Sequence, residues 1–169
     1  MHFALIDRIL ECTPQRVVAI KNVSCAEEYL QDHFPTFPVL PGVLMVEAIV
    51  QAARHLLESH HPPCRATRMV LGGVRAVKYG RFVKPGETLK VEVTLLKAAD
   101  GGTFEFKGQG TALVLGGGEK GSPEHVNGDL SNSAISGRFV LRPVRHSPVL
   151  STVKHEGTAE NWSYHANRV

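Results

Sequence analysis

Hydrophobic and polar positions change period several times along the chain, and each change predicts an element. Residues 3 to 10 alternate weakly around Ile6, Ile9 and Leu10 and read as a short helix or a strand. Residues 15 to 23, Gln-Arg-Val-Val-Ala-Ile-Lys-Asn-Val, are rich in β-branched types and predict a strand. Ser24 to Tyr29 is a polar turn with room for one loose helical turn. Asp32-His33-Phe34-Pro35-Thr36-Phe37-Pro38-Val39-Leu40-Pro41-Gly42 holds three prolines in seven residues. Proline fixes φ and removes a backbone donor, so this segment predicts a rigid, irregular loop.

From Pro41 the period becomes helical. Proline suits the first helical position, where its missing N–H has no intrahelical acceptor to lose. Val43, Leu44, Val46, Ile49, Val50, Ala53, Leu56 and Leu57 cover more than half the circumference. So apolar a helix predicts the buried centre of the domain. Glu47, Gln51, Arg54 and Glu58 occupy the rest, and Ser59-His60-His61-Pro62-Pro63 stops it.

Strands follow. Arg68 to Val77 contains Gly72-Gly73, which marks either a bulge or a close approach of a ligand; a short link leads on to Arg81-Phe82. Lys84-Pro85-Gly86-Glu87 is a turn signal. Thr88 to Leu96 sets Leu89, Val91, Val93 and Leu95 against Lys90, Glu92 and Thr94. Ala98 to Gly102 predicts a hairpin turn and Thr103 to Leu115 the returning strand, giving an antiparallel meander after the helix. Residues 116–134 are rich in glycine and turn formers and read as an insertion, Ile135 to Val144 as a last strand, and 147–169 as an extension that is loose or docked. The expected class is α+β, one domain over 1–146.

Composition narrows the function classes. The 169 residues carry 43% apolar and 21% charged types, which excludes a disordered chain or a fibre. The formal charge of +3 is spread thinly, with no basic arm for nucleic acid. Cys12, Cys25 and Cys64 are too scattered for a disulfide framework. No basic stretch leads into a long apolar run at the start, and the charge-free run from Phe34 to Val46 is broken by prolines. A soluble cytoplasmic protein without a membrane span is expected.

His33 and Glu47 are the pair with the most chemistry. His33 stands at the mouth of the proline-stiffened loop, which limits the entropy lost in placing its side chain. Glu47 lies in the most apolar helix, where burial would disfavour its charged form. A base paired with a protonated carboxylic acid suits an elimination of water. The competing reading makes Glu47 the head of a solvated stripe with Gln51 and Arg54, and His33 an ordinary loop residue. The Gly42 amide falls in the first helical turn, where N–H groups lack intrahelical acceptors and can polarise a carbonyl. Arg65, Arg68, Arg75, Lys78, Arg81 and Lys84 form a run of cations that suits a phosphate, an acidic protein or plain solvent. His55, His60 and His61 lack a carboxylate or cysteine at metal spacing, so no metal site is expected. Gly116-Gly117-Gly118-Glu119-Lys120 is no phosphate loop.

The stretch from Asp32 to Ala52, with His33-Phe34-Pro35, Pro41-Gly42-Val43-Leu44 and Glu47-Ala48, resembles the signature of the 3-hydroxyacyl-(acyl carrier protein) dehydratases of type II fatty acid synthesis. Glu47, where a related branch has Asp, matches the general dehydratase branch. Leu5-Ile6-Asp7-Arg8-Ile9-Leu10, Ala19-Ile20-Lys21-Asn22-Val23-Ser24 and Lys107-Gly108-Gln109-Gly110-Thr111-Ala112-Leu113 add to the likeness, which covers roughly residues 5 to 115. The resemblance implies a hotdog fold, a long central helix wrapped by a curved antiparallel sheet, with self-association as a dimer or trimer of dimers. It implies that His33 takes the C2 proton and that Glu47 of the partner subunit protonates the leaving hydroxyl, with Gly42 polarising the thioester carbonyl. Phe34, Phe37, Val39, Leu40, Val43 and Gln51 would line or neighbour the acyl tunnel. Arg75, Lys78, Arg81 and Lys84 would meet an acidic carrier protein bearing phosphopantetheine. No cofactor and no metal are implied. Asp32 and Thr36 depart from the family's Gly-His-Phe-Pro-Gly, which leaves chain length and carrier open. A hotdog thioesterase and a non-catalytic acyl-binding partner are the alternative functions.

Overall fold

The computed structural model describes residues 4–114 and 132–144. The strands are β1 (Arg8–Cys12), β2 (Arg16–Asn22), β3 (Met69–Tyr79), β4 (Glu87–Ala99), β5 (Thr103–Val114) and β6 (Ser133–Pro143), with one long helix α1 (Gly42–His60) between β2 and β3. A short 3₁₀ turn at Glu28–Leu30 precedes the His33 loop, and another at Pro62–Cys64 follows the helix directly, with His61 between them. Within the segment read as a short helix or a strand, a strand starts at Arg8 and runs on to Cys12. Most of the insertion at 116–134 and all of the extension at 147–169 lie outside the described residues.

The six strands form one antiparallel sheet in the order β1-β2-β4-β5-β6-β3. The expected meander holds for β4, β5 and β6, but β3, the first strand after the helix, lies beyond β6 at the far edge. Alternation along a strand specifies which face is buried and leaves the neighbour unspecified, so this placement was not readable locally. β3 is one continuous strand, with pairing irregularities between Leu71 and Gly73 and between Arg75 and Lys78, where Ala76 has φ 51°. The Gly72-Gly73 pair thus marks a bulge.

Alternation does set the core. Leu89, Val91 and Val93 are fully buried on β4, and Phe104, Phe106 and Ala112 on β5 face the same way. Helix α1 lays Met45, Ala48, Ile49, Ala52, Ala53, Leu56 and Leu57 against that face. Pro41 precedes the first helical residue and the helix continues to His60, about five turns. Gly108 lets helix and sheet approach: a Cβ there would lie 2.4 Å from Ile49 Cγ2. A long helix held on an antiparallel sheet of this order is the hotdog architecture, an α+β fold. Among the described residues no helix is long and apolar enough to cross a membrane.

Candidate functional site

The loop before α1 is tied to itself, to the turn before it and to the connection between β3 and β4. His33 N–H donates to the Tyr29 carbonyl at 3.2 Å, Val39 N–H to the His33 carbonyl at 3.0 Å, and Leu40 N–H to the Val83 carbonyl at 2.8 Å. Phe34 and Phe37 exchange backbone hydrogen bonds of 3.2 and 3.0 Å. Three prolines leave fewer donors to satisfy, and these bonds take up five of the rest. The His33–Phe34 peptide bond is cis.

The same loop orients the imidazole. His33 Nδ1 lies 3.0 Å from the Val39 carbonyl oxygen. A carbonyl only accepts, so in the neutral ring Nδ1 carries the hydrogen and Nε2 keeps its lone pair. The ring stacks on Phe34 at 4.3 Å between centroids.

His33 borders an apolar cavity of about 490 Å³ walled by Phe34, Leu40, Gly42, Val43, Tyr79 and Phe82. Gly42 opens the helix there, and the lack of a side chain matters: a Cβ would sit 2.6 Å from Tyr79 Cε1. Its first-turn N–H has no intrahelical acceptor. The rim is unusually apolar for a surface, with Val43 71%, Tyr79 56%, Phe82 56% and Phe34 50% exposed. Exposed apolar side chains gathered in this way mark a surface made to be covered.

Glu47 is placed differently. It does not line the His33 cavity. Its carboxylate accepts hydrogen bonds from Gln51 Nε2 and Arg54 Nη1, each at 3.1 Å. Gln51 Oε1 in turn accepts from the Leu5 N–H at 2.9 Å, and Arg54 Nε donates to the Met69 carbonyl at 3.2 Å. The side chain is 34% exposed, so the burial expected from the helix's apolar character is partial within one chain. The stripe of polar residues read from the helical period exists and is internally paired.

The other expected site residues divide. Phe34, Leu40 and Val43 line the cavity. Phe37 stands at its rim, edge-on to Phe82 at 5.6 Å and under the Lys84 ammonium at 5.0 Å. Val39 is fully buried and contributes its carbonyl rather than its side chain. Gln51 turns toward the N-terminal segment. The four cations have different surroundings: Arg75 and Lys78 are exposed on β3 opposite Arg138 and Ser136, Arg81 borders the cavity and pairs with Glu87, and Lys84 covers Phe37. Tyr79, Gly80, Phe82 and Ala134 are cavity residues that sequence reasoning missed. An aromatic closing a strand before Gly80 was the available signal for Tyr79; Ala134 offered none. Among the described residues no cluster of His, Cys, Asp or Glu is placed to hold a metal ion.

Residues 1–116 match the family of FabA-like domains. A 3-hydroxyacyl-(acyl-carrier-protein) dehydratase FabZ from Clostridium perfringens is 40% identical over 114 residues, covering 68% of this chain and 79% of the relative. One from Koribacter versatilis is 43% identical over 93 residues, covering 54% of this chain, and the match spans only 60% of that relative's length. The dehydratase heterocomplex ApeI:P from Xenorhabdus doucetiae has a TM-score of 0.53 at 18% identity, covering 81% of this chain and 96% of that one. At that identity the likeness is one of fold.

Proposed function

We propose, since this chain belongs to the family of FabA-like domains, that it removes water from a 3-hydroxyacyl thioester to give the trans-2-enoyl thioester. The observation that carries this reading is the His33 ring, with Nδ1 tied to the Val39 carbonyl, Nε2 left basic, and an apolar cavity beside it. His33 Nε2 takes the proton from C2. The electron pair of that bond becomes the C2–C3 double bond as the C3–O bond breaks. Glu47 of the partner subunit, in its acid form, gives its proton to the departing hydroxyl, which leaves as water. The Gly42 N–H donates to the thioester carbonyl oxygen, where negative charge builds while C2 loses its proton.

In one chain Glu47 stands off the His33 cavity, so the reaction as written takes two copies facing each other, as a dimer or a trimer of dimers. The exposed Val43, Phe34, Tyr79 and Phe82 support that arrangement. The acyl group arrives on an acyl carrier protein, its phosphopantetheine arm passing Arg81 and Lys84, with Arg75 and Lys78 further along the acidic carrier's footprint. No cofactor takes part, and the enzyme works in the cytoplasm.

The test is hydration of an enoyl thioester followed by mass of the product. His33→Ala and Glu47→Gln are each expected to lower kcat/KM by about 100-fold or more with the oligomer intact. A rate within a few-fold of the parent for either variant overturns that residue's role. Release of free thiol in place of the hydroxyacyl product assigns a thioesterase instead, and binding without turnover assigns a non-catalytic partner.

A further inference from the structure

A buried cation in the sheet remains outside the chemistry described so far. Lys21 on β2 is only 6% exposed. Its ammonium lies 2.6 Å from Glu27 Oε1 and 3.4 Å from Asp7 Oδ1. A buried lysine costs stability unless it is paired, so both acids are needed to hold it there. Neither acid is free to drift. The second oxygen of Asp7 accepts the Asn22 N–H at 2.5 Å, and Asp7 N–H donates to the Ile20 carbonyl at 2.9 Å, which fixes Asp7 to β2. Glu27 directly precedes the 3₁₀ turn Glu28–Leu30, and its carbonyl accepts the Leu30 N–H at 3.1 Å.

That turn leads into the His33 loop. The Tyr29 carbonyl accepts the His33 N–H, so the base of the loop is set by where the turn sits. The Tyr29 hydroxyl is buried, and burial first, then the charges of Glu27 and Asp7, push its ionisation well above the usual phenol range. Both acids therefore act on the interior beside the turn, and Lys21 is the cation that pairs with each of them.

We propose that Lys21 is a positioning residue for His33, anchoring through Glu27 the turn from which the His33 loop is hung. The inference depends on His33 acting as the base of the proposed dehydration. Lys21 touches no substrate; its effect passes through Glu27, the turn and the Tyr29 carbonyl to the imidazole.

The test uses the full chain and the enoyl thioester assay. Lys21→Met keeps most of the length of the side chain and removes its charge, and Glu27→Gln removes the same pair from the other side. Each is expected to lower kcat about 10- to 100-fold with KM within about twofold, since a small displacement of a reacting group acts on the chemical step. The double variant should lose no more than the larger single loss, because the two residues form one link. Val23→Ala, a buried change two residues along the same segment, serves as the control and is expected to lower the melting temperature while leaving kcat unchanged. Should Lys21→Met not fold, Glu27→Gln decides. If either folded variant keeps the parent kcat while His33→Ala is inactive, the positioning role is overturned and the dehydratase reading stands. If His33→Ala itself keeps the parent rate, the dehydratase reading and this inference fall together.

Discussion

The rim of the His33 cavity and the polar flank that carries Glu47 share helix α1, through Val43 and Glu47, and follow opposite rules. At the rim, Val43, Tyr79, Phe82 and Phe34 expose apolar surface with nothing over it among the described residues. On the flank, Glu47, Gln51 and Arg54 satisfy one another, and Arg54 is fastened to the Met69 carbonyl. The paired charges of β1, β2 and β4 behave like the flank: Arg16 bridges Glu11 and Glu92, and Lys90 also reaches Glu92 at 2.7 Å. The contrast is between apolar surface left in water at the rim and polar groups that find partners within the chain on the flank. The apolar side gains by being covered, since removing it from water is favourable by roughly 25 cal/mol per Å². Exposed ion pairs gain little from either burial or loss.

Val43→Asp attacks the rim where it is most exposed. It is expected to weaken self-association about 100-fold or more and to remove activity with it, leaving the protomer folded. Sedimentation against concentration reads the first effect and circular dichroism the second. An oligomer as tight as the parent's would break the comparison. Gly42→Ala is a smaller intrusion, a single methyl directed at the Tyr79 ring, and should lower kcat/KM about tenfold through displacement of a cavity wall. Tyr79→Ala in the same chain should return part of that loss; an unrelieved loss would locate the effect in the helix start instead.

The smallest effect belongs to the paired surface. Hydrogen bonds from Lys90, then Arg16, together with their charges, lower the pKa of Glu92 below its ordinary 4.5. A carboxylate with a depressed folded-state pKa stabilises the fold above its unfolded value, and this is lost as pH falls through the folded one. Glu92→Gln should therefore cost less than about 1 kcal/mol at neutral pH and nothing at pH low enough to protonate the parent. Thermal melts of both proteins from pH 7 downward should converge in the acid range. A difference that persists there would mean that Glu92 stabilises by shape rather than by charge.

Legibility followed the range of the forces involved. The helix from Gly42, the alternation of β4 and the turn at Lys84-Pro85-Gly86-Glu87 were readable because period, proline and glycine act over a few residues. The rigidity of the loop around His33 was readable for the same reason. Its imidazole partner was not, since a backbone carbonyl such as that of Val39 belongs to every residue and signals nothing. Val39 itself reads as an apolar tunnel residue, and only the folded loop turns its side chain into the core. The four cations of 75–84 look like one patch in the chain, but Arg81 is paired with Glu87 beside the cavity and Lys84 lies over Phe37, while Arg75 and Lys78 are exposed on β3.

By itself the sequence left residues 3 to 10 open between helix and strand. It determined the long helix, most of the strands and which of their faces are buried, and that a histidine and a glutamate flank one helix start in the order His33, Gly42, Glu47. These depend on local dihedral preference and on the periodic burial of apolar side chains. Tertiary structure alone decided that β3 crosses to the edge beyond β6, that Tyr79 from that strand closes over Gly42, and that Glu47 faces Arg54 while His33 faces a cavity. Those are matters of which distant surfaces fit together, and packing between residues far apart in the chain leaves no local pattern to read.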